Sequence, residues 1–131
     1  MSAISKVMVP KIDGLSMAVD NETRLAIRGT IATREPNQNI GLFFQKLHAE
    51  IIAAHLPAFF VDVTELTFVN SSAIRLFIDW AMWLNQMPVT ERYRLTFITS
   101  RNITWQTTNF SALRSLVGNV VYVEPKEGAS A

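Results

Sequence analysis

Residue types able to do chemistry concentrate in one stretch: Phe59-Phe60-Val61-Asp62-Val63-Thr64-Glu65-Leu66-Thr67-Phe68-Val69-Asn70-Ser71-Ser72-Ala73-Ile74. An apolar run ends in the acid Asp62 and the hydroxyl of Thr64. Further on, the polar triplet Asn70-Ser71-Ser72 opens a long apolar segment whose spacing predicts a helix. Hydroxyls at a helix N-terminus lie at the positive end of its dipole, where phosphate is well accommodated. Two readings of Ser71 and Ser72 therefore stand side by side, as helix caps or as acceptors of a phosphate. Asp62 and Glu65 raise a third chemistry, a catalytic carboxylate pair. No partner base accompanies them, and an Asp at a strand end more often orders a loop by accepting backbone N–H groups. A nucleophilic Ser72 would need a base, and the sequence places no His or Lys beside it.

Other chemistries find less material. The chain has no cysteine, which removes disulfides, thiolate zinc sites and a catalytic thiol, and fits a reducing cytoplasm. His48 and His55 are two helical turns apart and read as surface histidines, because no further ligand has metal-site spacing. There is no Gly-x-Ser-x-Gly elbow, no phosphate-binding Gly-rich loop and no His-Glu-x-x-His, and only 5 glycines are present in all. Arg92, Arg94 and Arg101 cluster around one strand, either as a phosphate or anionic-lipid patch or, more often, as scattered solvated side chains. No cofactor and no metal is expected.

The elements that must position this stretch alternate. Leu15–Val19 and Thr23–Ile31 read as a hairpin around Asp20-Asn21-Glu22. A loop at 34–37 leads to a helix from about Asn39 to His55, stopped by Pro57. Ala58–Val63 reads as a short apolar strand at the centre of a sheet covered on both faces. A second helix spans about Ser72 to Gln86, a strand Tyr93 to Thr99, a third helix about Ile103 to Leu116, a turn Gly118-Asn119, and a last strand Val120 to Val123. This order predicts an α/β fold: a mixed sheet, mostly parallel, with an N-terminal hairpin and about three helices. The chain reads as a single domain over 1–131, with its core at about 15–123 and flexible ends at 1–12 and 124–131.

The motif and the element order together resemble the STAS domain, the family of anti-sigma factor antagonists. The resemblance covers about Leu15 to Val123. It rests on Asp62, Thr64, Leu66, Phe68, Val69, Ser71, Ser72 and Ile74, which fall in register with the family pattern of an apolar strand, an Asp, a hydroxyl, a spacer and a Ser/Thr pair before a helix. The early strand Leu25-Ala26-Ile27-Arg28-Gly29-Thr30-Ile31 also resembles the family's Leu-x-Gly-x-apolar strand. The resemblance implies that Ser72 is the phosphoacceptor, within a phosphosite loop of Asp62, Thr64, Asn70, Ser71 and Ala73. It implies a protein partner of the serine kinase or anti-sigma type, bound when the serine is unmodified and released when it is phosphorylated. Asn70 stands where the family has Asp, and Ala73 where it has Gly. The chain also leaves no room for the family's C-terminal helix.

The second helix is apolar nearly all round. One stripe is Ala73, Ile74, Phe77, Ile78, Ala81 and Leu84; the other is Leu76, Trp80, Trp83 and Met87. One stripe faces the sheet, and the other is either covered by the third helix or meets a partner. The partner reading places Arg75, Leu76, Trp80 and Trp83 on a contact face, with Arg75 paired to Asp79 or turned to a phosphate.

Totals limit the functional classes. The chain has 131 residues, 49% of them hydrophobic, so it is long enough to bury a core. Net charge is +1, which argues against a dedicated nucleic-acid surface. No run approaches the roughly 18 apolar residues of a membrane span, and residues 1–10 show no secretory signal. The expectation is a cytoplasmic, non-enzymatic signalling protein acting in transcription regulation through protein–protein contact. The alternative is a constitutive STAS-like scaffold, either a subunit of a larger assembly or a homodimer through the Trp80/Trp83 face, and never phosphorylated.

Overall fold

A computed structural model of the chain describes residues 9–32, 34–35, 38–118 and 120–126. The hairpin forms from β1 (Leu15–Asp20) and β2 (Arg24–Ile31), paired antiparallel. Its turn is made by Asn21 and Glu22, with φ of 54° and 56°. Two successive left-handed residues twist a turn in the same sense as the strands it joins. At the other end of the hairpin Gly29 has φ of 101°, and a Cβ there would lie 2.1 Å from the Gly14 carbonyl oxygen. That carbonyl accepts the Thr30 N–H at 2.9 Å, so the two segments touch backbone to backbone.

Helix α1 (Ile40–Ala53) starts at Asn39, whose side chain accepts the Ile40 N–H, and the chain turns out of it at His55 with φ of 54°. There follow β3 (Ala58–Val69), α2 (Ser71–Asn85), one 3-10 turn at Val89–Glu91, β4 (Arg94–Ser100), α3 (Thr104–Val117) and β5 (Val121–Lys126). The sheet order is β1-β2-β3-β4-β5, and every pair after the hairpin is parallel. The fold is therefore the α/β mixed sheet with an N-terminal hairpin and three helices that the alternation of elements predicts.

Because each parallel strand is added beside the previous one, right-handed crossovers put all three helices on one face. Burial along β3 agrees. Phe59, Val61 and Val63 are buried, whereas Ala58, Phe60, Asp62 and Thr64, pointing the other way, are half-buried. β3 is thus covered fully on one face and only partly on the other, whereas β4 is buried on both. Beneath the helices the core is aromatic: Phe44 lies 4.8 Å from Trp80, Phe77 5.4 Å from Phe110, and Phe97 4.7 Å from Phe110, centroid to centroid. Tilted and edge-on pairs at such distances add to the stabilisation from area burial alone.

Two strands are longer than their sequence suggests. β3 does not end at Val63 but runs on to Val69, pairing Arg28 with Glu65 and Ile31 with Val69 after register shifts that place extra residues in β3. The extension is rich in β-branched and aromatic residues, which suit a pleated surface. β5 continues through Lys126, pairing Ile98 with Glu124 and Ser100 with Lys126, so Glu124–Lys126 is strand rather than frayed end. Pro125 is tolerated because β5 is an edge. At the other end Val9 and Ile12 pack against the core and Ile12 bridges to Leu15. The remaining flexible-end, loop and turn expectations at 1–8, 33, 36–37, 119 and 127–131, and the expected lack of a C-terminal helix, lie outside the described residues.

Candidate functional site

The Asn70-Ser71-Ser72 triplet sits where β3 hands over to α2, at the carboxyl end of the parallel strands. Asn70 is held by its own N–H, which donates to the Ile31 carbonyl at 2.9 Å. Its side-chain oxygen accepts the Ala73 N–H at 2.9 Å. Asn70 is thus the N-cap of α2, the role that Asn fills as well as Asp or Ser. The serines are not needed for that task. Ser71 and Ser72 occupy the first turn and are exposed, as is Arg75. A hydroxyl on an exposed first turn faces the positive end of the helix dipole, which favours an anion placed there.

Ala73, on the same turn, is fully buried with its methyl group in the core. Its side chain therefore contributes to packing and not to a partner-facing surface. Leu76 is 4% exposed and Trp80 0% exposed, so the contact face expected from them is internal. The tryptophans are met by α1 rather than α3. Trp80 stacks on Phe44, and Trp83, half-buried, lies 5.7 Å from His48. A dimer built directly on Trp80 would require unpacking the core. No ion pair joins Arg75 to Asp79 among the described residues.

The apolar surface near Ser72 is made by other residues. Phe68 is 51% exposed two residues before the cap. Ile74, Phe77 and Ile78 of α2 meet Asn109, Phe110 and Leu113 of α3 around a small apolar cleft.

Asp62 lies within β3 rather than at its end. One carboxylate oxygen accepts both the Thr64 N–H at 2.9 Å and the Thr64 hydroxyl at 2.7 Å, and the other accepts the Arg24 guanidinium. Burial alone would push this carboxyl up, but the two donations from Thr64 together with Arg24 outweigh it and hold it below the ordinary carboxylate range. Glu65 is paired elsewhere, with Arg28 at 3.3 Å. The two acids are therefore engaged by separate arginines of β2. Asp62 does what an ordering acceptor does, at a strand bulge instead of a loop.

Beyond Asp62 and Ile98 the pairing of β3 with β4 stops, while β3 continues along β2. Gln106 fills the gap. Its amide nitrogen donates to the Val63 and Leu66 carbonyls at 2.5 and 2.8 Å, and its oxygen accepts the Ser100 N–H at 2.8 Å. Gln106 is 0% exposed, and beside it the Trp105 indole N–H donates to the Thr67 carbonyl at 2.9 Å. These bonds pin the end of β3 that delivers Asn70 and Ser72. Sequence reasoning missed Gln106, although a signal exists: it continues the buried stripe of Phe110, Leu113 and Val117 along α3. A polar residue in an apolar stripe must find buried partners.

His48 is not the surface residue that its sequence context suggests. It is half-buried, its Nδ1 2.7 Å from the Tyr93 hydroxyl, which in turn accepts the Trp80 indole N–H at 2.6 Å. With that oxygen already accepting from Trp80, all three groups are satisfied when Tyr93 donates its proton to a neutral imidazole protonated on Nε2. Burial lowers the His48 pKa, in keeping with a neutral ring, and burial pushes Tyr93 well up, against the opposing effect of the Trp80 donation. His55 is exposed. No group of three or more His, Asp or Glu side chains suited to a metal occurs among the described residues. No described helix is long and apolar enough to cross a membrane.

A comparison with known proteins finds no matching family model, no matching curated sequence and no matching solved structure.

Proposed function

We propose that the chain is a STAS-like, non-enzymatic binding protein whose contact with a protein partner is switched by phosphorylation of Ser72. The observation that carries this reading is the division of labour at the start of α2: Asn70 caps the helix, leaving Ser72 as an exposed hydroxyl on the first turn. A phosphate adds about −1.5 to −2 charge there at neutral pH. The helix N-terminus tolerates it, and Arg75, three residues on and exposed, belongs to the same helix face. A partner packed over Ser72 and the neighbouring Phe68 would have to desolvate that charge, so phosphorylation would release it. The partner class is a serine kinase of the anti-sigma type. ATP and magnesium would belong to that kinase, and both proteins would work in the cytoplasm.

The test has two parts. Peptide mass spectrometry on protein isolated from its native cell should find phosphate on Ser72 in part of the population. Ser72→Asp should weaken capture of the kinase partner at least tenfold, while Ser72→Ala retains it. Equal capture by the two variants, together with phosphate absent across growth conditions, would replace the switch with the constitutive, unphosphorylated scaffold.

A further inference from the structure

At the amino ends of β3, β4 and β5 the surface opens into a cleft of about 340 Å³, lined by Pro57, Val89, Arg92, Arg94, Val120 and Tyr122 together with Tyr93. It lies a full β3 length from Ser72, roughly 36 Å at about 3.3 Å per residue. No carboxylate lines it; Glu91, adjacent in sequence to Arg92, is not among its lining residues. Arg101, expected to belong with Arg92 and Arg94, sits beyond the opposite end of β4 and takes no part.

Both arginines are held in place before any ligand arrives. Arg92 donates from Nε to the Met87 carbonyl at 2.9 Å and from Nη2 to the Asn85 carbonyl at 2.8 Å. These bonds anchor it to the end of α2 and engage two of its five donors. Arg94 lies with its guanidinium carbon 4.5 Å from the centre of the Tyr122 ring. Stacking uses the face of a guanidinium and leaves its in-plane N–H edge free. Neither arginine is in an ion pair among the described residues. Holding the side chains in advance lowers the entropy cost of binding. Apolar surface in the cleft comes from the exposed Pro57 and Val89 and from the half-buried Tyr122 ring, while Val120 is 2% exposed.

Two fixed guanidiniums beside a mixed surface with the apolar side chains of Pro57 and Val89 match a particular ligand chemistry. We propose that this cleft binds a small organic anion, a phosphate or carboxylate group carried on an apolar or flat body. The anion sits on the free edge of Arg94, with Arg92 behind it, and the body lies against Val89 and Pro57. The volume is at the lower end of the roughly 300–1,000 Å³ of small-molecule sites. The site is independent of the Ser72 reading.

Amide NMR titration of the full chain at constant ionic strength tests this, with phenyl phosphate, benzoate, inorganic phosphate and benzyl alcohol as probes. Phenyl phosphate should give saturating shifts confined to Val89–Arg94 and Val120–Tyr122, at least tenfold tighter than inorganic phosphate. Benzoate in its place identifies the carboxylate source, and benzyl alcohol should not bind. Arg94→Gln should weaken the tighter anion at least tenfold. Val89→Asp, at a position 76% exposed, should do the same by charge repulsion without disturbing the core. Non-saturating shifts, shifts elsewhere, or affinity unchanged in both variants would overturn the proposal. Inorganic phosphate binding as tightly as phenyl phosphate would overturn the organic ligand.

Discussion

At the carboxyl end of the sheet, β3 and β4 part company, and a buried side-chain amide supplies the hydrogen bonds that a neighbouring strand would have made. At the amino end the strands stay together, and the helices are tied to them by an aromatic cluster around the Tyr93 hydroxyl. The first end is held by directional bonds to backbone and delivers an exposed hydroxyl. The second is held by packing and leaves an open, positively charged cleft. Positioning a modifiable serine calls for a fixed backbone, whereas a cleft needs only fixed side chains.

The sharpest way to break this contrast is Gln106→Leu. It leaves the Val63 and Leu66 carbonyls and the Ser100 N–H buried without partners. At about 1–3 kcal/mol for each orphaned group, partly relieved by water, urea unfolding should show a loss of about 3–5 kcal/mol. A loss below about 1 kcal/mol would mean that the carboxyl end does not depend on this amide.

Tyr93→Phe probes the amino end in the same way. It removes the oxygen shared by Trp80 and His48, and the expected loss is smaller, about 2 kcal/mol, because the ring packing remains. The same cluster predicts a pH dependence. His48 has a depressed pKa in the fold, so the unfolded chain binds the proton more readily. Its contribution is full above the unfolded value of about 6.5 and is lost as pH falls from there toward the folded pKa. His48→Gln should flatten the stability profile in that window.

Asp62→Asn loosens the bulge between the two ends. The expected cost is about 1 kcal/mol at pH 7, since Arg24 is partly solvated. Because the folded carboxyl is held below its ordinary value, that stabilisation is present above about pH 4 and fades as pH falls through the folded pKa. Wild type and Asp62→Asn should therefore converge in acid. The smallest effect is a gain. Thr99 is 1% exposed and its hydroxyl has no partner among the described residues, so Thr99→Val should stabilise by up to about 1 kcal/mol in thermal unfolding.

Element order and type were legible in the sequence because periodicity reports which face is buried. Leu25, Ile27 and Ile31 reveal β2, and Pro57 marks where α1 must already have ended. The length of β3 was not legible. Whether Thr64–Val69 is loop or strand depends on a partner, and β2 lies far away in sequence. At the site, Ser72 and Asn70 were found from type and position, but which one caps the helix is a matter of geometry. Trp80 looked like an interface anchor because an all-round apolar helix reads the same whether chain or partner covers it. His48 and Gln106 act through bonds to residues 45 and 43 positions away, which no local pattern announces.

The strand order has a consequence for how the protein is made. Each strand joins the edge left by the one before it, so the sheet can be laid down in the order of translation, without a later segment having to insert between earlier ones. Until the last strand arrives, however, the growing edge is β4, whose residues are buried from Leu95 to Ser100. A nascent chain stalled at that point presents an apolar edge ready to pair with another. Val121–Lys126, ending in Glu124, Pro125 and Lys126, replaces it with a border that carries charge and cannot offer a continuous row of donors. Among the described strands, β5 is thus the one that shields the apolar edge of β4.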